Sequence, residues 1–187
     1  MSAEIEAWPR PHRLTVDDYR RMAEIRLFAS DDRVELIEGA IVDMAPIGSL
    51  HAATVTALAE RLTRSVDASA HVRVQQPLVL APDSEPQPDL AVVNGRPERY
   101  KIEHPGPKDV LLLVEVADAT LQFDLETKAR LYAAHGIAEY WVVDLVHRSL
   151  RVLGGRQGDT YSRREALASG RASAGRLHFS VEVAELF

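Results

Sequence analysis

The sequence predicts a single α/β domain, and three kinds of stretch carry that prediction. The run Val110-Leu111-Leu112-Leu113-Val114-Glu115-Val116-Ala117 is almost wholly Val and Leu, as expected of a central strand covered on both faces. Two segments, residues 50–66 and 121–135, repeat apolar residues at helical spacing. Short apolar or alternating runs bounded by Gly and Pro fill the remainder and read as strands and hairpins.

In chain order, residues 1–13 hold Pro9 and Pro11 and read as an irregular arm, with one domain over 14–187. Thr15 is a good N-cap for a helix over 16–28, with Asp17 and Asp18 favourable in its first turn. Residues 33–38 and 40–44 flank Gly39, which suggests a hairpin. Ser49 is the expected cap of the helix over 50–66, whose stripe is Val55, Leu58, Leu62 and Val66, with His51 on the same face. Pro77 separates two extended segments, 71–76 and 78–80. The loop 81–88 then delivers Asp89 at the head of a strand over 89–93. After the central strand, a helix over 121–135 should end at Gly136. Residues 139–145 and 149–153 read as a second hairpin, 154–175 as a surface segment rich in Gly, Ser and Arg, and 177–180 as a short strand before an apolar terminus.

Composition narrows the function. With 187 residues and 46% apolar content the chain can bury a core. No apolar run is long enough to span a bilayer, so no membrane partner is expected. Glu4 and Glu6 stand where a signal peptide would be apolar, which points to a cytoplasmic protein. With no cysteine, any metal must be held by oxygen or imidazole. The net charge of −6 argues against a tight, general nucleic-acid binder, though less against an enzyme with a local site.

Glu115 and Asp89 are each a lone carboxylate attached to an apolar strand. An ionised carboxylate near a covered strand end is costly unless a cation compensates it. If the two strands are neighbours, the acids meet at one end of the sheet and suit Mg²⁺ or Mn²⁺. Taken singly, each acid could equally face solvent. Lys128 falls in the stripe Leu121, Leu125, Lys128, Tyr132 and His135, so it either snorkels to the edge or points at the carboxylates. A buried lysine there would be a liability to stability, so exchange for Met should hold or improve it. Glu35 shares a strand face with Ile37 and is either a solvated edge acid or a site acid. His51 is a possible ligand, although a histidine at a helix start is more often structural. Asp118 and Asp124 flank the helix start, where acids favour the dipole in any case.

These residues come in an order that resembles a known family. Glu35-Leu36-Ile37-Glu38-Gly39, Gly48-Ser49-Leu50-His51, Pro86-Gln87-Pro88-Asp89-Leu90, Val114-Glu115-Val116, Lys128 and Gly136-Ile137-Ala138-Glu139-Tyr140-Trp141 resemble the Uma-two family of restriction-endonuclease-like proteins, within the PD-(D/E)XK nuclease superfamily. The resemblance runs from about Leu14 to Phe187. It implies a restriction-endonuclease-like core, with a mixed β-sheet flanked by helices, and a Mg²⁺-dependent endonuclease acting on nucleic acid, with DNA the expected substrate. Pro88-Asp89 matches the PD element and Glu115 the second acid. The lysine expected two residues later is absent, since Ala117 stands there; the resemblance moves it to Lys128. Asp89, Glu115 and Glu35 would hold the metal, and Lys128 would serve the attacking water and the phosphate.

Two rivals belong to other classes. A catalytically inactive scaffold or binding protein would suit the acidic charge but leave the acid–acid–lysine set unexplained. A glycosidase with paired carboxylates would leave Lys128 without a role. A homodimer is expected from the Tyr, Trp, Val and Leu of the 139–153 hairpin, and because two sites suit duplex cleavage.

Overall fold

The computed structural model describes residues 11–187, so most of the expected arm, residues 1–10, lies outside the described residues. Helix α1 spans Val16–Glu24 and opens with a capping box between Thr15 and Asp18. It ends earlier than its apolar residues suggest. Arg26 takes a left-handed φ of 57°, and the Leu27 N–H donates to the Met22 carbonyl at 2.9 Å, which closes the helix in a Schellman-like turn. The strands β1 (Val34–Ile37) and β2 (Ala40–Asp43) form the hairpin expected around Gly39. Its turn residues Glu38 and Gly39 both have positive φ, 47° and 75°, the conformation that matches strand twist. A side chain at Gly39 would also put its Cβ 2.7 Å from the Cβ of Arg13.

Helix α2 spans Ser49–Ser65, and its N-cap is Gly48 rather than Ser49. The six-stranded sheet runs β3 (Ala70–Val74), β4 (Leu90–Asn94), β5 (Val110–Ala117), β6 (Glu139–Asp144), β7 (Ser149–Gln157), β8 (Thr160–Leu167) in spatial as well as chain order. Only β5 and β6 pair in parallel. Their crossover is helix α3, residues 121–134, which contains a π turn at Asp124–Lys128. A small hairpin, β9 (Arg171–Ala174) with β10 (Phe179–Glu182), precedes a last 3₁₀ turn over Val183–Leu186. The fold is thus a mixed sheet flanked by helices, as expected.

Strand β5 is covered on both faces. Leu112, Val114 and Val116 belong to the core beneath α2, with Val55, Leu58, Leu62 and Phe179. Leu113 and Ala117 belong to the core beneath α3, with Leu131, Tyr132, Tyr140 and Val142. Full burial of each large apolar side chain stabilises by roughly 1.5–3 kcal/mol, so both faces anchor the strand that carries Glu115.

Two expectations change. The 154–175 segment is exposed but ordered, because it supplies the end of β7, all of β8 and all of β9. Tyr161 is the one fully buried side chain of β8, so this edge strand is held chiefly by its backbone ladder and shows no apolar alternation. The 139–153 hairpin is formed, but Tyr140 and Trp141 are 0% and 1% exposed within the domain. Its aromatic content is core and offers no surface for a second copy. No described helix is long and apolar enough to cross a membrane.

Candidate active site

The antiparallel register of β4 and β5 sets Leu90 opposite Val114, which brings Asp89 and Glu115 to the same end of the sheet. Each acid is then tied to the backbone of the other's chain segment. The Asp89 N–H donates to Glu115 Oε2 at 3.0 Å, and the Val116 N–H donates to Asp89 Oδ2 at 2.9 Å. Asp89 Oδ2 also meets His51 Nε2 at 3.1 Å, and the Gln75 side-chain amide donates to Oδ1 at 3.0 Å. His51 therefore does more than start a helix.

From the opposite side α3 lowers Lys128 onto the pair. Its ammonium lies 3.1 Å from Glu115 Oε1 and 3.1 Å from Glu35 Oε1. The Tyr132 hydroxyl, one helical turn on, donates to the same Glu115 Oε1 at 2.9 Å. Glu35 arrives on β1, and its other oxygen accepts the Gln87 N–H at 3.0 Å. Asp124 is buried in the π turn and accepts from the Thr120 hydroxyl at 2.7 Å, while Asp118 is exposed at the rim. The structure thus joins Glu35, Asp89, Glu115 and Lys128 in one network, with Glu35 reached only through Lys128.

The electrostatics follow from burial. Desolvation pushes Glu115 up to about 8, against the attraction of Lys128. Desolvation likewise pushes Asp124 up to about 6. Burial alone would favour a neutral Lys128, but Glu115 and Glu35 outweigh it and hold the ammonium protonated. Burial also opposes ionisation of Asp89, but His51, the Val116 N–H and Gln75 together keep it below the usual carboxylate range. The hydrogen bond to Asp89 raises His51 despite its burial. Burial thus favours the neutral form of Glu115, while the acids around Lys128 favour its charged form.

The acids open onto a cleft of about 520 Å³ lined by Asp89, Glu115, Asp124, Lys128, His51 and Gln75, with Arg33 at its edge. Among the described residues no group of three or more His, Asp or Glu side chains gathers as a metal site. The expected trio of Asp89, Glu115 and Glu35 is not formed, because the Lys128 ammonium stands between Glu35 and Glu115. The pair Asp89 and Glu115 still fits a hard divalent ion. A carboxylate offers about four acceptor directions. Asp89 uses three of them, on His51, Gln75 and the Val116 N–H. Glu115 uses three, on Lys128, Tyr132 and the Asp89 N–H. One direction on each remains, and a bound cation would favour the ionised form of Glu115 that burial opposes.

Gln75 and Tyr132 play no part in the sequence-based site. Tyr132 could be found from its spacing of four after Lys128, which places both on one helical face. Nothing local marks Gln75.

A mixed sheet with an acid at the head of one strand, a second acid on the next and a lysine against it is the arrangement that the resemblance to restriction-endonuclease-like proteins implies. The model of the Uma2 family, described as a putative restriction endonuclease, matches residues 16–184, and the chain belongs to that family. The fold is similar to the crystal structure of a putative nuclease of DUF820 from Anabaena variabilis ATCC 29413. The two share 18% identity at a TM-score of 0.72, over 93% of this chain and 97% of the other. No curated protein matches the chain.

Proposed function

We propose that the chain is a divalent-metal-dependent endonuclease that hydrolyses phosphodiester bonds of nucleic acid, with DNA the substrate. One observation carries this: Asp89, Glu115 and Lys128 converge from two adjacent strands and a crossover helix on a single cleft. Asp89 and Glu115 are the residues that would hold Mg²⁺ or Mn²⁺. Such an ion supplies Lewis acidity to a phosphoryl oxygen and increases the acidity of water. Glu115 would hold the ion in its ionised form. Lys128 has three N–H donors, two of which are used by Glu35 and Glu115. The third can hold the attacking water or a phosphate oxygen and offset the charge that develops there. Glu35 keeps the ammonium in place from behind.

The test is a Mg²⁺ and Mn²⁺ titration of the purified protein on supercoiled plasmid and on single-stranded DNA, read as nicking or cleavage. Cleavage should require the ion and disappear in Asp89→Asn and Glu115→Gln. Intact DNA at every ion concentration, with folded protein, would favour the inactive scaffold. Cleavage that persists in both variants would remove the pair as the site.

A further inference from the structure

Among the described residues, four that are not glycine have a left-handed backbone: Arg26, Glu38, Gln75 and Arg148. Three have ordinary reasons, since Arg26 closes α1, Glu38 turns the β1–β2 hairpin and Arg148 lies in the turn between β6 and β7. Gln75, with φ of 49°, follows β3, and its chain goes on to Pro77 without turning back as a hairpin. L residues with a Cβ resist this conformation, and where it persists beside a cleft it is commonly tied to function.

The register shows what the conformation achieves. Val74 lies opposite Leu90, so Gln75 falls opposite Asp89. Its N–H donates to the Asp89 carbonyl at 3.0 Å, the last bond of the ladder. Its carboxamide donates to Asp89 Oδ1, also at 3.0 Å. One residue thus grips both the backbone and the side chain of Asp89. His51 and the Val116 N–H both bind Oδ2, so Gln75 alone among the described residues fixes Oδ1.

We propose that Gln75 is a positioning residue that sets the Asp89 carboxylate for the divalent ion, and that its left-handed backbone is kept for this purpose. The inference rests on Asp89 being a metal ligand. Groups behind a ligand typically change metal affinity by about 10–100-fold when removed. Gly adopts the left-handed region freely, whereas Ala keeps the strain and loses the amide.

The experiment measures Mn²⁺ affinity by calorimetry and melting of the metal-free protein, for wild type, Gln75→Gly, Gln75→Ala and Asp89→Asn. Both Gln75 variants should bind Mn²⁺ about 10–100-fold more weakly. Both lose the amide bond to Asp89, so Gln75→Ala, which also keeps the backbone strain, should melt below Gln75→Gly. A residue kept only for structure would change melting and leave Mn²⁺ affinity unchanged in both variants; that overturns the proposal. If wild type fails to bind Mn²⁺, or Asp89→Asn binds it as wild type does, the metal assignment of Asp89 fails and the role of Gln75 falls with it.

Discussion

Replacement of Lys128 by Met probes the charge balance of the site directly, because it keeps the aliphatic stem and removes the ammonium. From sequence, loss of a lysine from an apolar stripe should be harmless or favourable. The structure reverses the sign. Lys128 is a 6% exposed side chain standing 3.1 Å from Glu35 and 3.1 Å from Glu115, which are themselves 4% and 5% exposed. Without it, the buried acids Glu35 and Glu115 lose the ammonium they share. Removing one partner of a buried pair costs about 3–5 kcal/mol. Burial favours the neutral form of Glu115, so the cost falls chiefly on Glu35. We therefore expect the low end, about 3 kcal/mol. For a domain of this size that is a melting temperature lower by roughly 6–12 °C. Urea and thermal unfolding at neutral pH would measure it, with Glu35→Gln/Lys128→Met as the control in which a neutral amide replaces the stranded acid and most of the loss returns. Wild-type melting of Lys128→Met at neutral pH would show that Lys128 is no counter-ion and would refute the reasoning.

Tyr132→Phe keeps the edge contact with Tyr140 at 4.9 Å but removes a donor to Glu115. Metal-free melting should fall by the equivalent of about 1–3 kcal/mol, with Mn²⁺ affinity reduced about tenfold or more; calorimetry showing unchanged affinity would count against a role at the site. Glu115 and Asp124 are raised from 4.5 and 3.8 to about 8 and about 6, so the folded chain keeps protons the unfolded chain has lost. Their contribution is therefore present at low pH and is lost as pH rises from about 4 through about 8. Melting against pH should show this decline, and Mn²⁺ should flatten its upper part; a stability that rises across that window would contradict it. The cleft is lined by Asp43, Asp89, Glu115, Asp118 and Asp124 against Arg33 and Lys128, so nucleic-acid binding should be weak without a divalent ion and strengthen with Ca²⁺. Fluorescence anisotropy showing tight metal-free binding would refute that expectation.

The parts legible in the sequence are those where one residue's chemistry clashes with its neighbours. Glu115 in a Val/Leu strand and Lys128 in a helical stripe are such clashes, and both lie in the network. The strand β8 was not legible, because an edge strand with a single buried side chain looks like a polar loop. The aromatics of the 139–153 hairpin mislead for the converse reason: Tyr140 and Trp141 are as apolar as an interface but lie in an interior strand. Gln75 was hidden because its partner Asp89 lies on another strand, and nothing in the sequence of 124–128 marks a π turn. The sign of Lys128→Met was missed because Glu35, brought in by β1, could not be placed from its own alternation.

The placement of the lysine follows from topology. Strands β5 and β6 are parallel, so the chain must cross the sheet between them, and the crossover helix packs over the face that carries Glu115. A lysine two residues after Glu115 would rise from that face of the strand; a lysine on α3 descends onto it from above. The two positions start from opposite sides of the same carboxylate. Here the strand position is Ala117, 0% exposed in the core beneath α3, which leaves no room for a long side chain. The helix position is Lys128, held at 3.1 Å, and the π turn in the same helix buries Asp124 alongside it. A small residue at 117 is therefore the complement of a lysine at 128. Returning lysine to 117 in a Lys128→Met background should not restore the network, because its ammonium would start beneath the packed helix instead of between Glu35 and Glu115.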